Sequence, residues 1–345
     1  MSELKISRWS LLRAAIVFVP LILLAVVTDS AWVLNIGVFT LMYAGLATAW
    51  NLVGGYTGYI TLGNVAFFGL GAYGFAIIFQ HTGVGGGWWP FALAPALGLA
   101  VGLISIPLGW IAYRTRALSF IIVTIVLVVV LQYLAFNLTS ISGGSPGLSI
   151  PLPPFSPGIF TRVFYYAMLA IYALAVFICW YIRRSRLGLM MFALRDDEDR
   201  AAGIGINVAV PKLLAFGVSA GLSAMLGGVW AYYLSTIYPQ FAFDSEFLTM
   251  AIVLIAFLGG AGTLWGPTVG ALILVPAQQY LAFTLGASNF YLLGYAAIFA
   301  VVMLTLRRGV VPSVNDLLDR RRRRHRQETA PAPEPVAVHT GGATQ

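Results

Sequence analysis

Two stretches of this chain gather the polar groups that could do chemistry. The first is Arg183–Lys212, RRSRLGLMMFALRDDEDRAAGIGINVAVPK, the one long charged segment between two apolar halves. Here Arg195 precedes Asp196, Asp197, Glu198 and Asp199, and Ala201, Ala202, Gly203 and Gly205 follow. Carboxylates favour the first turn of a helix, where the macrodipole is positive, and glycines end one. The spacing predicts a short helix over about Asp197–Ala202, held outside the membrane. Upstream, Leu187, Met190 or Met191, and Leu194 lie at i, i+3/i+4, i+7, with Arg183, Arg184 and Arg186 alongside. That pattern suits an amphipathic helix at a membrane surface. Taken alone, the segment reads as a charged connector between two spans.

The second stretch is Gly54–Tyr73, GGYTGYITLGNVAFFGLGAY. Glycines 54, 55, 58, 63, 69 and 71 interrupt an apolar run that also carries Thr57, Tyr59, Thr61 and Asn64. Broken backbone at membrane depth is tolerated where it faces protein or a watery cavity. Thr57, Gly58, Tyr59, Thr61, Gly63 and Asn64 would therefore offer backbone dipoles, hydroxyls and an amide to a passing solute, with no fixed charge. Gly259–Gly270, GGAGTLWGPTVG, is a second break of this kind. Paired interruptions point to a translocation pathway. The competing reading is close helix packing through small residues, which fits Gly69 and Gly71 better.

Other chemistry is missing. No G-x-x-x-x-G-K-[ST] occurs, and neither Lys5 nor Lys212 follows a glycine, so there is no P-loop. No Asp, Glu, Lys or Arg lies in the middle of a predicted span, where ion-coupled carriers keep them. His81, His325 and His339 fall at a span end or in the tail, and Cys179 is the one cysteine. The reading is therefore a non-enzyme with no catalytic residue, no metal site, no cofactor and no disulfide within the chain. Any transport energy has to come from another polypeptide.

The surrounding elements are those of a membrane protein. Hydrophobic residues make up 59% of 345 and charged residues 9%, with a mean hydropathy of +0.87. That balance exceeds anything a soluble core needs. The net charge of +8 sits in clumps between apolar runs and is not a nucleic-acid signature. The expected fold is an all-α polytopic membrane protein of about ten transmembrane helices with Gly-rich broken segments. Span centres fall near Val19, Ala44, Phe75, Gly102, Leu127, Ala173, Gly221, Ile255, Leu274 and Ala300. The run Leu11–Val27 has no convincing cleavage site after it and is kept as a span. All basic residues but Arg162 fall on one side of this arrangement, which places both termini and Arg183–Lys212 in the cytoplasm. Asp29, Asp244 and Glu246 fall outside, and Trp32, Trp88, Trp89, Trp110, Trp180 and Trp230 lie near span ends. Asn137–Arg162 is the longest outside loop, with five prolines, a Gly143-Gly144-Ser145 turn and a chance sequon at Asn137. Residues 1–310 form the membrane domain. Residues 311–345 are expected to be a disordered basic tail, with Arg320–Arg324 on anionic lipid.

Four segments in one order resemble a known family. Gly55–Tyr73 is similar to the G-Y-x-G-x-x-S-L-G-x-A-x-F-F-G-x-G-A-Y signature of high-affinity branched-chain amino acid ABC-transporter permeases. Asn137–Gly147 resembles their outside loop, Leu194–Lys212 their A-I-R-x-x-E-x-A-A cytoplasmic segment, and Gly259–Gly270 their G-G-x-G-T-L-W-G-P-x-x-G. The order and loops favour the M-type membrane subunit. Thr61 stands where the family commonly has Ser, Asn64 where His is frequent, and Arg200 where an apolar residue is usual. The resemblance implies a multi-pass subunit of a bacterial inner-membrane importer. Its partners would be a second permease subunit, two cytoplasmic ATPase subunits and an external solute-binding protein. Arg195, Asp196, Glu198, Ala201, Ala202 and Gly205 would then form the element that couples to an ATPase. Branched-chain or related hydrophobic amino acids are the implied substrates. Urea, amides or aromatic acids, or an uncoupled facilitator, are the alternatives.

Overall fold

The computed structural model describes residues 8–82, 86–113, 117–244, 247–285, 300, 309–314 and 316. It is an all-α polytopic membrane protein. Its first helices are α1 (Arg8–Val27) and α2 (Ala31–Trp50), and α2 runs straight into a π-helical segment, Asn51–Thr57. An irregular break over 58–63 leads to α3 (Asn64–Thr82), then α4 (Trp89–Ala112), α5 (Ala117–Asn137) and the short α6 (Thr139–Ser142). The long α7 (Pro157–Arg184) is followed by α8 (Arg186–Asp196) and α9 (Glu198–Gly203). After these come α10 (Ala209–Leu234), α11 (Pro239–Ala242), α12 (Phe247–Gly259) and α13 (Gly266–Leu285).

Every expected span centre up to Leu274 falls in a helix, and the span around Ala300 lies almost wholly outside the described residues. Among the described residues, 7 helices are long and apolar enough to cross a membrane. The tail's arginine run also lies outside the described residues. Residues 310–314 are helical, so ordered chain extends a few residues past the expected boundary at 310.

Helix α10 is the centre of the bundle, and most of it is buried. Its small residues explain this. Gly217 and Gly221 face Gly98 and Gly102 of α4, one i,i+4 glycine pair against another. On its next face Gly227 and Ala224 meet the backbone of α3 at Phe68 and Gly71. Lipid tails are as apolar as leucine, so helices in a bilayer associate through such close packing rather than through hydrophobic drive. By contrast α5 is mostly unburied, so most of that helix faces outward.

The two ends of the bundle differ. At one end Arg162 of α7 pairs with Asp29 at 2.8 Å, between α1 and α2. There β1 (Leu148–Ser149) pairs antiparallel with β2 (Thr236–Ile237), in the register Leu148 to Ile237. The proline-rich loop is thus strapped to the end of α10. At the other end lie both Gly-rich breaks and the charged segment. Trp32, Trp88 and Trp110 are exposed as interfacial residues are, whereas Trp230 is buried against Phe68, with ring centroids 5.2 Å apart. Closeness to a helix end did not distinguish a packed tryptophan from an interfacial one.

Candidate functional site

The charged segment folds as two helices that meet at Asp197. Ser185 caps α8, accepting a hydrogen bond from the Gly188 amide, and Met191 and Leu194 turn inward as the periodicity predicts. Asp197 is extended and caps α9, its carboxylate accepting from the Arg200 amide at 3.1 Å. At the far end the Gly205 amide bonds to the Ala202 carbonyl at 2.9 Å and the Ile206 amide to the Ala201 carbonyl at 3.1 Å. That pair is a Schellman stop, and Gly205 holds its left-handed position at φ +86°. The predicted helix over Asp197–Ala202 is therefore present, shifted by one residue.

This segment fastens both breaks. Arg195 donates to the Gly55 carbonyl at 2.8 Å and packs over Gly58, where φ is +78° and only glycine is unstrained. Arg183 donates to the Gly262 carbonyl at 3.2 Å. Between the breaks lies Asn51, 1% exposed, which donates to the Thr263 carbonyl at 2.8 Å and accepts from the Gly262 amide at 2.7 Å. Two glycine-rich turns some 200 residues apart thus become one unit through a single side-chain amide.

The freed backbone over 61–63 is met by protein groups. The Trp50 indole donates to the Thr61 carbonyl at 2.7 Å, the Leu62 amide to the Thr124 hydroxyl at 3.2 Å, and the Gly63 amide to the Thr61 hydroxyl at 3.1 Å. Asn64 donates to Ser219 at 3.0 Å and Ser223 at 3.2 Å on α10, and Thr57 to its own turn at Val53. Thr57, Thr61, Gly63 and Asn64 are all buried, while Gly58 and Ile60 are exposed. A side chain at Gly63 would press on Thr124 of α5, so packing constrains this position directly. An apolar groove of about 410 Å³ between α4, α7 and α10 contains none of the expected pathway residues.

The remaining expected residues divide by facing. Glu198 and Ala201 point into the bundle, while Asp196, Ala202 and Gly205 are exposed beside Ile204, which is 78% exposed. Lys212, at the start of α10 and 3% exposed, donates to the Glu198 carboxylate at 2.5 Å and to the Tyr59 hydroxyl at 2.8 Å. Tyr59 in turn donates to the other oxygen of Glu198. The lysine nitrogen lies 4.2 Å from the Tyr59 ring centroid and 5.6 Å from that of Tyr113, which stacks on Phe120. A buried ammonium is costly unless it is paired, and here a carboxylate and two aromatic faces compensate it. Sequence reasoning gave Lys212 and Asn51 no site role. The available signals were a lone lysine at the start of an apolar run and an amide just before Gly54-Gly55.

Burial pulls the Glu198 carboxyl upward, but the hydrogen bonds from Lys212 and Tyr59 and the lysine charge outweigh it and hold it below the ordinary value of 4.5. A depressed native pKa adds stability that is complete above the unfolded value and is lost as pH falls through the native one. Acidification below the ordinary carboxylate range should therefore lower the melting temperature of the purified protein more than that of Glu198→Gln. Parallel pH curves for the two proteins would rule this out. Among the described residues, no group of three or more His, Cys, Asp or Glu could hold a metal ion.

Comparison with known proteins places the chain among transport permeases. A family model described as the permease component of branched-chain amino acid transport systems matches residues 32–306. The chain is similar to the high-affinity branched-chain amino acid transport system permease protein LivM of Escherichia coli, 26% identical over 333 residues. That match covers 88% of this chain and 76% of LivM. Its counterpart in Salmonella typhimurium is 27% identical over 305 residues, covering 81% and 69%. The Escherichia coli permease protein LivH is 26% identical over 283 residues, covering 76% and 89%. No solved structure matches the chain.

Proposed function

This chain belongs to the family of branched-chain amino acid transport permeases, and from that premise we propose that it is the M-type membrane subunit of an ATP-binding cassette importer. It carries branched-chain or related hydrophobic amino acids across the bacterial inner membrane. It works with a second permease subunit, two cytoplasmic ATPase subunits and an external solute-binding protein.

The observation that carries this reading is α9. It is a capped helix outside the apolar spans, with Ala202, Ile204 and Gly205 exposed beside Asp196, and with Arg195 and Glu198 tying it to the first break. Small residues beside an exposed isoleucine suit insertion into a groove of an ATPase, and the acidic turn suits basic residues there. A connector needs no such fixed presentation. The break at 58–63, reached through Gly58 and Ile60, contributes to a pathway at the interface with the second permease subunit. The full topology is ten spans, with both termini and Arg183–Lys212 cytoplasmic and Asn137–Arg162 outside.

Co-expression with candidate partner subunits tests the reading. ATPase subunits should co-purify with the wild-type chain, and Gly205→Glu should reduce that recovery while the chain still inserts. Consistent isolation of the chain alone would favour an uncoupled facilitator. Competition of leucine uptake by isoleucine, valine, phenylalanine and urea then separates the substrate classes. For topology, cysteines at Ser145 and Ser185 should differ in labelling by an impermeant reagent on intact cells, Ser145 reacting and Ser185 not. Equal labelling would reject the orientation.

A further inference from the structure

Three elements of the chain converge on one ion pair whose lysine is buried and whose carboxylate is half-buried. Glu198 belongs to α9, Tyr59 to the irregular turn between the π-helical segment and α3, and Lys212 to the first turn of α10. Each of the three side chains bonds to both of the others, so the contact is a closed ring rather than a chain. The lysine is nearly fully buried, and its only carboxylate is Glu198 among the described residues. A shift of α9 that left Tyr59 and Lys212 behind would strand an unpaired charge among aromatic rings, which is strongly unfavourable. A shift that carried them along would cost little.

We infer that Glu198, Tyr59 and Lys212 form a rigid joint through which displacement of α9 is delivered to the break at 58–63 and to α10 together. These are positioning residues, and the inference rests on the importer reading above. In that setting Glu198 serves the membrane domain rather than the ATPase surface, while the exposed residues of α9 do the docking. The joint explains why a lysine occupies the base of the most buried helix. Its charge makes separation of the three elements prohibitive, whereas apolar contacts would let them slide.

The test is made on the full importer complex. Cysteines at Ile60 and Asp199, both exposed, carry spin labels whose separation is measured without nucleotide and with a non-hydrolysable ATP analogue. The separation should stay fixed in the parent and change in the Glu198→Gln, Lys212→Met double variant. That variant removes both charges, so no unpaired charge remains to unfold it. A separation that changes in the parent overturns the joint without any variant being needed. In proteoliposomes, leucine moved per ATP hydrolysed should fall about tenfold or more in the double variant, within the range of coupling between distant sites. Tyr59→Phe, which keeps the ring but not the bond to Glu198, should give a smaller fall. A double variant with parental transport per ATP would reduce the ring to a fold-holding contact. Failure of any ATPase to co-purify with the parent would instead defeat the importer reading, a separate and distinguishable result.

Discussion

In Asn51→Leu, uptake should fall to background and thermal unfolding in detergent should move sharply downward. Leucine keeps the branched heavy-atom outline of asparagine, so the change removes hydrogen bonding without opening a cavity. It leaves the Gly262 amide and the Thr263 carbonyl without their partner in a buried place. Each such orphan costs roughly 1–3 kcal/mol, so the pair should cost about 2–6 kcal/mol. The consequence extends beyond stability, because Asn51 is the direct side-chain bridge from the first break to the second. Without it, Arg183 and Arg195 grip two turns that no longer hold each other. Asn51→Asp keeps the acceptor for Gly262 and loses the donor, and should fall between the two. Parental melting and uptake in Asn51→Leu would show that the breaks are held by something else.

The second large effect is expected at Gly71→Leu. A Cβ there would meet the backbone of Ala224 on α10, which has no flexible end to move aside. The helices would have to separate along one of the two most extensive helix contacts in the bundle. Overpacking of this kind costs about 1–3 kcal/mol and occasionally more. Folded, monodisperse protein recovered from membranes should drop severely. Gly74→Ala is the matched comparison, since its Cβ would meet only the end of Leu97 at 3.2 Å, and it should be near parental. Equal recovery of the two variants would show that α3 and α10 do not depend on this approach. Gly63→Leu is a poorer probe of passage, because Thr124 already occupies the space beside it.

How much was legible in the sequence depended on whether a signal was local. The span centres were readable because an apolar run long enough to cross a bilayer is a property of consecutive residues. The α9 helix was readable for the same reason. Its cap, acidic first turn and stopping glycine lie within a few residues of one another, and the structure moved its limits by one. The inward face of α8 followed from periodicity, and Gly69 and Gly71 from the preference of small residues for helix contacts.

The facing of polar groups was not local. Asn64 offered an amide, and nothing in its neighbourhood announced that Ser219 and Ser223 would take it up. Asn51 finds its partners 211 and 212 positions away. Lys212 counted in the sequence as one more cytoplasmic positive charge, because charge bias registers number and side and is blind to burial. Glu198 came from a motif associated with docking, yet its carboxylate faces the membrane domain. The sequence by itself determined the class of molecule, its family and the helices that carry the site. The tertiary structure decided which face each side chain shows, since hydrogen-bond partners and desolvation are set by residues far apart in the chain. Only that packing brings one carboxylate, one phenol and one ammonium into a single ring.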